Sequence, residues 1–122
     1  MDGPLVSVLT GYLLSILIET PVLMIGLSAR HPLRRRIFAG VWLTACTYPI
    51  VAVTLPAVID PVRDRGVYLA VAETFAPVAE CALFWLAFGD RAAWGRPSMV
   101  RDFAAIVLAN LASFLVGEAL LH

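Results

Sequence analysis

Four long apolar stretches, separated by short charged segments, set the pattern of the chain. They cover residues 5–28, 37–59, 67–89 and 103–121. Each contains roughly 20 residues, which is the length that a helix needs to cross the hydrocarbon layer of a bilayer. The stretches lack the polar face that a helix on the surface of a soluble protein repeats every three or four residues. The pattern therefore predicts an all-α fold with four transmembrane helices, in a single domain that covers residues 1–122.

The composition agrees with a polytopic membrane protein. Hydrophobic residues make up 61% and charged residues 15% of the chain, and the mean hydropathy is +0.87. An average soluble domain is about half apolar and about a quarter charged. The formal net charge is zero. The sequence therefore indicates the lipid bilayer as the main partner and no nucleic acid.

The arginines predict the orientation in the membrane. All nine basic residues are arginines, and seven of them lie in the connections after the first and third apolar stretches, against two in the middle connection. Cytoplasmic loops of membrane proteins are enriched in Arg and Lys. We therefore expect these two connections in the cytoplasm and both chain termini outside, in a bacterial inner membrane.

Polar residues recur at matching depths inside the apolar stretches. Glu19 and Glu80 each precede the first arginine of the next connection by eleven residues. At 1.5 Å per residue, both lie about 16 Å from that connection, close to the middle of the bilayer. Thr47 in the second stretch and Asn110 in the fourth reach a similar height, and these four residues form a predicted inner layer. An outer layer is predicted from the remaining glutamates, Glu73 and Glu118.

Carboxyl groups at this depth suggest a binding site. Burying a charged side chain in a bilayer costs several kcal/mol, so such residues face the bundle interior and often mark ion or substrate sites. We interpret the two inner glutamates as the principal ligands or proton carriers, with Thr47 and Asn110 orienting them. The two outer glutamates would form the outward access route. The alternative is that neutral Glu and Asn side chains join the helices through hydrogen bonds worth about 0.6 kcal/mol each.

The spacing also indicates an internal repeat. The first and third helices each carry a glutamate at the same depth, and the second and fourth each carry an uncharged polar residue. Two helical hairpins related by a parallel repeat are therefore expected. Pro21, Pro49 and Pro77 lie close to polar groups in three of the helices. Since proline removes a helical hydrogen bond, we expect an interruption of the helix at each of these positions.

Four short motifs carry a resemblance to other proteins. They are IETP, TYP, AETFAPVAEC and ANLASFLVG, which contain the pattern E-T-P, T-x-P, E-x6-E and N-x-x-S. The set resembles a group of small four-helix bacterial integral membrane proteins, over about residues 18–117. The resemblance implies that the polar positions form one set, and it implies no particular activity.

Other reactive residues suggest no separate chemistry. His31 lies among arginines in the first connection, and Cys46 and Cys81 lie in different helices without a CxxC motif. The sequence does not identify a cofactor or a metal. Hard oxygen ligands such as carboxylates favour a proton, Mg²⁺, Ca²⁺ or Mn²⁺ over soft metals.

The sequence favours a small integral membrane transporter or channel-like protein that binds a cation or proton at its buried carboxylates. Because four helices enclose little volume, we expect a homo-oligomer that handles a small ion or a small molecule. Two alternatives stay open. One is a membrane-embedded enzyme that uses the paired glutamates as acid and base on a lipid or isoprenoid substrate, although an enzyme is the less favoured class. The other is an accessory subunit of a larger membrane complex.

Overall fold

Four long helices make up the protein. A computed structural model describes residues 3–121. The helices are α1 (Pro4–Gly26), α2 (Leu33–Pro49), α3 (Arg65–Phe88) and α4 (Pro97–Leu121). Each of the four segments is long and apolar enough to cross a membrane. The all-α, four-helix architecture predicted from the sequence is therefore confirmed, and the protein is an integral membrane protein.

The second membrane segment changes its helix type after Pro49. The chain continues as a π-helix over Ile50–Thr54 and as a 3₁₀-helix over Leu55–Ala57. Pro56 has no N–H to donate, and its ring crowds the carbonyl of Ala52 four residues earlier, within the π-helical segment, which favours a change of helical bonding there. The whole apolar segment still extends over Leu33–Ala57, so it keeps the length of a membrane crossing.

Two further intramembrane prolines do not interrupt their helices. Pro21 lies inside α1 and Pro77 inside α3, and both helices are continuous through them. Neighbouring helices and small local adjustments can satisfy the backbone groups that a proline frees within a membrane. The expected interruptions at these two positions were therefore wrong.

Two helices begin earlier than the hydropathy pattern suggests. α2 begins at Leu33 rather than at residue 37, and α4 begins at Pro97 rather than at residue 103. The additional turns carry arginines, which lower local hydropathy but are good helix formers. Proline is also favoured in the first helical position, where Pro97 lies in α4.

Small residues bring α1 close to both of its neighbours. A Cβ atom added to Gly40 of α2 would lie 2.8 Å from the Cα atom of Thr20, and one added to Gly26 would lie 2.9 Å from the Cβ atom of Ala105 in α4. Membrane helices pack through such small residues because these allow the backbones to approach. α1 is thereby fixed against α2 on one side and α4 on the other.

The apolar core occupies one half of the bundle. Its buried members are Leu23, Leu27, Ala39, Leu43, Phe84, Ala105, Ile106 and Ala109. They lie towards the end that carries the 27–32 and 89–96 connections, which we call the arginine-rich end. The opposite end carries the 58–64 connection. The four glutamates of the chain lie in the other half of the bundle, beyond the core.

Candidate functional site

A cavity between the four helices contains every glutamate of the chain. It has a volume of about 200 Å³, and its lining includes Glu19, Glu73, Glu80 and Glu118. The inner two are buried, with 5% of Glu19 and 2% of Glu80 exposed, whereas the outer two are partly exposed. Hydroxyl groups also line the cavity, from Ser15, Thr44, Thr47, Tyr48, Tyr68 and Ser113. We call this space the acidic cavity.

Glu80 is held by one residue from each of two neighbouring helices. The hydroxyl group Oγ1 of Thr47 in α2 lies 2.7 Å from Oε2 of Glu80. The amide Nδ2 of Asn110 in α4 donates a hydrogen bond of 3.2 Å to Oε1 of the same carboxyl group. All three side chains are buried. Three of the four inner-layer residues therefore form one hydrogen-bonded group that joins α2, α3 and α4.

The Thr47 hydroxyl group has two acceptors within reach. Its Oγ1 atom is 2.7 Å from Oε2 of Glu80 and 3.0 Å from the backbone carbonyl oxygen of Leu43. A hydroxyl group has a single proton but can also accept. When Glu80 is ionised, Thr47 can donate to it. When Oε2 of Glu80 carries a proton, Glu80 can donate to Thr47, which then donates to the Leu43 carbonyl.

The hydrogen bonds that Asn110 donates are compatible with both the ionised and the protonated form of Glu80. Its amide group has two N–H donors, and they are shared between Oε1 of Glu80 at 3.2 Å and the backbone carbonyl of Ile106 at 2.9 Å. Oε1 therefore remains an acceptor throughout. In this geometry, Oε2 is the oxygen atom of the carboxyl group that gains or loses the proton.

Glu19 completes the inner layer from α1. Glu19 lines the same cavity as Glu80 and as Ser113 of α4. Ser113 also donates a hydrogen bond of 3.1 Å to Ser15, one turn before Glu19. Among the residues that the structure describes, the lining of the cavity includes no basic side chain. The two inner carboxyl groups thus share a buried space without a lysine, arginine or histidine beside them.

The outer layer, unlike the inner layer, contains an ion pair between an arginine and a glutamate. Both carboxyl oxygens of Glu118 accept hydrogen bonds from Nη2 of Arg65, at 2.6 and 2.7 Å. The sequence pattern placed Arg65 in a connection, whereas α3 begins at this residue and directs it to α4. The two side chains are 43% and 32% exposed, so the pair contributes about 0–1 kcal/mol. Glu73 lies between this pair and the inner layer and lines the same cavity.

Residues that commonly bind metal ions do not form a cluster among the described residues. Across residues 3–121, no group of three or more His, Cys, Asp or Glu side chains is placed to hold a metal ion. Cys46 and Cys81 are free thiols. What the acidic cavity provides is two buried carboxyl groups with hydroxyl and amide partners, which is a set of groups suited to accepting and releasing protons.

A second polar cluster lies at the arginine-rich end, where the sequence pattern indicated only a loop. Asp102 of α4 accepts hydrogen bonds from the backbone N–H of Ser28 at 2.7 Å and from Nε2 of His31 at 2.9 Å. His31 is 1% exposed and Asp102 is 2% exposed. The ring of His31 also packs edge-on against Phe84, with the ring centroids 4.9 Å apart. This cluster fixes the α1–α2 connection to α3 and α4.

The position of Arg35 determines the tautomer of His31. Its Nη1 atom lies 3.3 Å from Nδ1 of His31, and a guanidinium group can only donate. Nδ1 must therefore accept, so the proton of the neutral ring is on Nε2, from which it is donated to Asp102. His31 is held in its neutral form by this arrangement.

Arginines at this end also bind backbone carbonyl groups at the end of α1 and in the connection that follows it. Arg36 donates to the backbone carbonyls of Met24, Ser28 and His31, at 2.7, 3.0 and 2.8 Å. Arg101 of α4 donates to the carbonyl of Gly26 at 2.9 Å. The last carbonyls of a helix lack partners within the helix and carry partial negative charge. These two arginines therefore have a structural role in addition to the topological role that the sequence indicated.

His31 should make the stability of the protein depend on pH. Burial is the largest cause that lowers the pKa of His31 below its ordinary value of 6.5, Asp102 opposes this shift, and the charges of Arg30 and Arg35 add to it. The unfolded chain then takes up a proton at a higher pH than the folded protein. Stability is fully present above about pH 6.5 and falls as the pH decreases from there to the folded-state pKa.

The variant His31→Gln tests this dependence. It should be less stable than the original protein at neutral pH, but its stability should change less between neutral pH and the folded-state pKa of His31. Thermal unfolding in detergent micelles at a series of pH values measures both effects. Equal pH dependence in the two proteins would contradict the assignment to His31.

Comparison of the chain with protein-family models, with curated proteins and with solved structures finds no match.

Proposed function

We propose that the protein is a small membrane transporter that binds and releases a proton at Glu80, with Glu19 as the second carboxyl group of the site. The observation that carries this proposal is the position of the Thr47 hydroxyl group. It has an acceptor for each charge state of Glu80, within hydrogen-bond distance and without any movement of the backbone. A purely structural hydrogen bond needs only one of these two arrangements.

The electrostatics of the cavity support the same function. Two carboxyl groups in one buried space cannot both be charged without a large cost, and the described lining of the cavity provides no basic side chain to compensate. A proton on either Glu19 or Glu80 removes this cost. We propose that the pair shares one proton, which is exchanged through the cavity.

Access to the pair is proposed from the end that carries the 58–64 connection. Glu73 and Tyr68 line the cavity on that side, and the hydroxyl group of Tyr68 donates to the carbonyl of Val51 at 2.8 Å, within the π-helical segment. On the other side, the buried core that includes Leu43 and Ile106 separates the cavity from the arginine-rich end. This conformation would serve one face of the membrane.

The orientation follows from the distribution of charge. We propose that the arginine-rich end faces the cytoplasm of a bacterial inner membrane and that both termini lie outside, since seven of the nine arginines lie at that end, in the connections or in the first turns of α2 and α4. The acidic cavity then takes its proton from the outer face. We further propose that the protein works as a homo-oligomer, because four helices enclose a cavity of only about 200 Å³.

Proton flux into liposomes tests the function. The purified protein is reconstituted with a pH-sensitive dye inside, and a membrane potential is imposed with potassium and valinomycin. Glu80→Gln retains the shape and the hydrogen bond from Asn110 but cannot release a proton, so we expect flux at the level of protein-free liposomes. Glu19→Gln should also reduce the flux, because it removes the second carboxyl group. Asp90→Asn, at an exposed position, is the matched control and should behave like the original protein.

The same assay can refute the proposal. If Glu19→Gln and Glu80→Gln both folded and both retained the full flux, the two carboxyl groups would act only as structural links between the helices. Far-UV circular dichroism and gel filtration of each variant establish that a loss of flux is not a loss of folding.

A further inference from the structure

An apolar groove lies on the outer surface of the bundle between α3 and α4. It has a volume of about 640 Å³ and is lined almost entirely by carbon atoms, from residues that include Val78, Trp85, Leu86 and Trp94. Leu86 is 81% exposed and Val78 is 64% exposed. In a membrane these side chains face the acyl chains of the lipids. The volume is in the range of small-molecule sites, about 300–1,000 Å³.

A smaller cavity lies between this groove and the acidic cavity. It has a volume of about 210 Å³ and shares Pro77 and Val107 with the groove. On its other side it shares Glu73, Asn110 and Phe114 with the acidic cavity. The three spaces therefore follow one another between α3 and α4, from the lipid-facing surface to the carboxyl groups.

The two ends of this series differ in chemistry. The groove is suited to an alkyl chain, since burying apolar surface there contributes about 25 cal/mol per Å². The other end contains Glu73, and Glu80 lies beyond Asn110. Arg65 pairs with Glu118 at the outer end of the cavity rather than with either of these two glutamates. An anionic head group would be repelled by these carboxyl groups, and a cationic one would be attracted.

We propose that the groove and the acidic cavity together bind an amphiphilic cation, an alkylammonium ion with its chain between α3 and α4 and its head group at Glu73 and Glu80. The ligand enters sideways from the bilayer rather than from water. This inference rests on the proposed function, because the head group occupies the site that exchanges the proton. Binding of the cation and binding of the proton would then exclude one another at Glu80.

Quenching of tryptophan fluorescence gives a direct measure of binding. Trp85 and Trp94 line the groove, whereas Trp42 packs against Phe38 and Phe88. In the Trp42→Phe variant, only the two tryptophans of the groove contribute to the measured fluorescence. The probe is dodecyltrimethylammonium brominated at the end of its alkyl chain, because bromine quenches tryptophan on contact. We expect saturable quenching in detergent micelles, reversed by unbrominated dodecyltrimethylammonium but not by dodecanoate, which has a similar chain and the opposite charge.

A pair of alanine variants provides the structural control. Ala82 lines the groove, and Ala70 is an exposed residue of the same helix. Ala82→Phe fills the groove and should abolish saturable quenching, whereas Ala70→Phe should leave it unchanged. Equal quenching in both variants, or quenching that never saturates, would show only partition of the probe into micelles and would overturn the proposal. Equal competition by dodecanoate would refute the selection for a cation.

Two further outcomes distinguish this inference from others. If Ala82→Phe changed the molecular mass of the particle in light scattering while Ala70→Phe did not, the groove would be covered by a second copy of the chain and the ligand proposal would fail. Loss of proton flux in Glu80→Gln, together with no saturable binding of the probe to the protein that retains Glu80, would refute the amphiphile site and leave the proton site standing. Saturable, cation-selective binding with full flux in Glu80→Gln would refute the proton site instead.

Discussion

Replacing Asp102 with alanine is expected to lower the free energy of unfolding by about 3 kcal/mol, since it leaves two buried donors unpaired and each unpaired donor costs about 1–3 kcal/mol. The two donors are the backbone N–H of Ser28 and Nε2 of His31. Neither donor can form a hydrogen bond with water instead, because Ser28 and His31 are both buried. Asp102→Asn should have an intermediate effect, since its carbonyl oxygen can still accept from Ser28 while its NH₂ group opposes the N–H of His31.

Unfolding in mixed micelles of dodecyl maltoside and dodecyl sulfate measures this effect. Asp64→Ala is the matched control, because Asp64 is an exposed residue whose side chain makes no capping hydrogen bond at the start of α3. Surface substitutions of this kind usually change stability by less than about 0.5 kcal/mol. If Asp102→Ala were no less stable than Asp64→Ala, the cluster at the arginine-rich end would not hold the helices together.

The depth of polar residues could be predicted from the sequence, because a helix has a fixed rise per residue. Counting along each apolar stretch placed Glu80, Thr47 and Asn110 at one level, and in the structure these three side chains are hydrogen-bonded to one another through Glu80. Counting does not give the rotation of a helix about its axis. The partner of each carboxyl oxygen, and the second acceptor of Thr47, therefore required the structure.

Contacts between distant parts of the chain could not be predicted. His31 and Asp102 lie 71 residues apart, and each occurs in an arginine-rich segment that hydropathy alone assigns to a solvated connection. The same limitation applies to Arg65 and Glu118, which are 53 residues apart. In both pairs the early start of a helix, α4 or α3, brings a charged residue into the bundle. A hydropathy window cannot detect this because the charge itself lowers the average.

The core and the cavity divide the bundle in a way that bears on function. The polar cluster of His31 and Asp102, the arginines that bind the end of α1, and the apolar core all lie in the same half. That half is fixed by buried hydrogen bonds and close packing. The half with the acidic cavity contains the π-helical segment Ile50–Thr54, and irregular turns of this kind are frequent at functional sites. Movement that opens or closes the cavity is therefore expected in the second half.

Thr47→Val is expected to reduce proton flux nearly to the level of Glu80→Gln. Valine has almost the same shape as threonine but lacks the hydroxyl group, so Oε2 of Glu80 loses its partner in both charge states. The cost to stability should be about 1–3 kcal/mol, because a buried carboxyl oxygen is left without its partner. Thr47→Ser retains the hydroxyl group and should retain most of the flux. Thr44→Val is the matched control one turn earlier in α2, where the hydroxyl group donates to the carbonyl of Gly40 at 2.8 Å.

The stability of the double variant Thr47→Val/Glu80→Gln shows whether the hydroxyl group and the carboxyl group act on each other, since Glu80→Gln alone is expected to leave no flux to lose. The two side chains are in direct contact, so the loss of unfolding free energy in the double variant should differ from the sum of the two single losses by about 0.5 kcal/mol or more. Additive losses would mean that Thr47 does not act through Glu80. Full flux in the single Thr47→Val variant would mean that Glu80 exchanges its proton without the hydroxyl group. Since that hydroxyl group is the observation on which the proton site rests, either result would require a different acceptor, with Glu19 as the carboxyl group to test next.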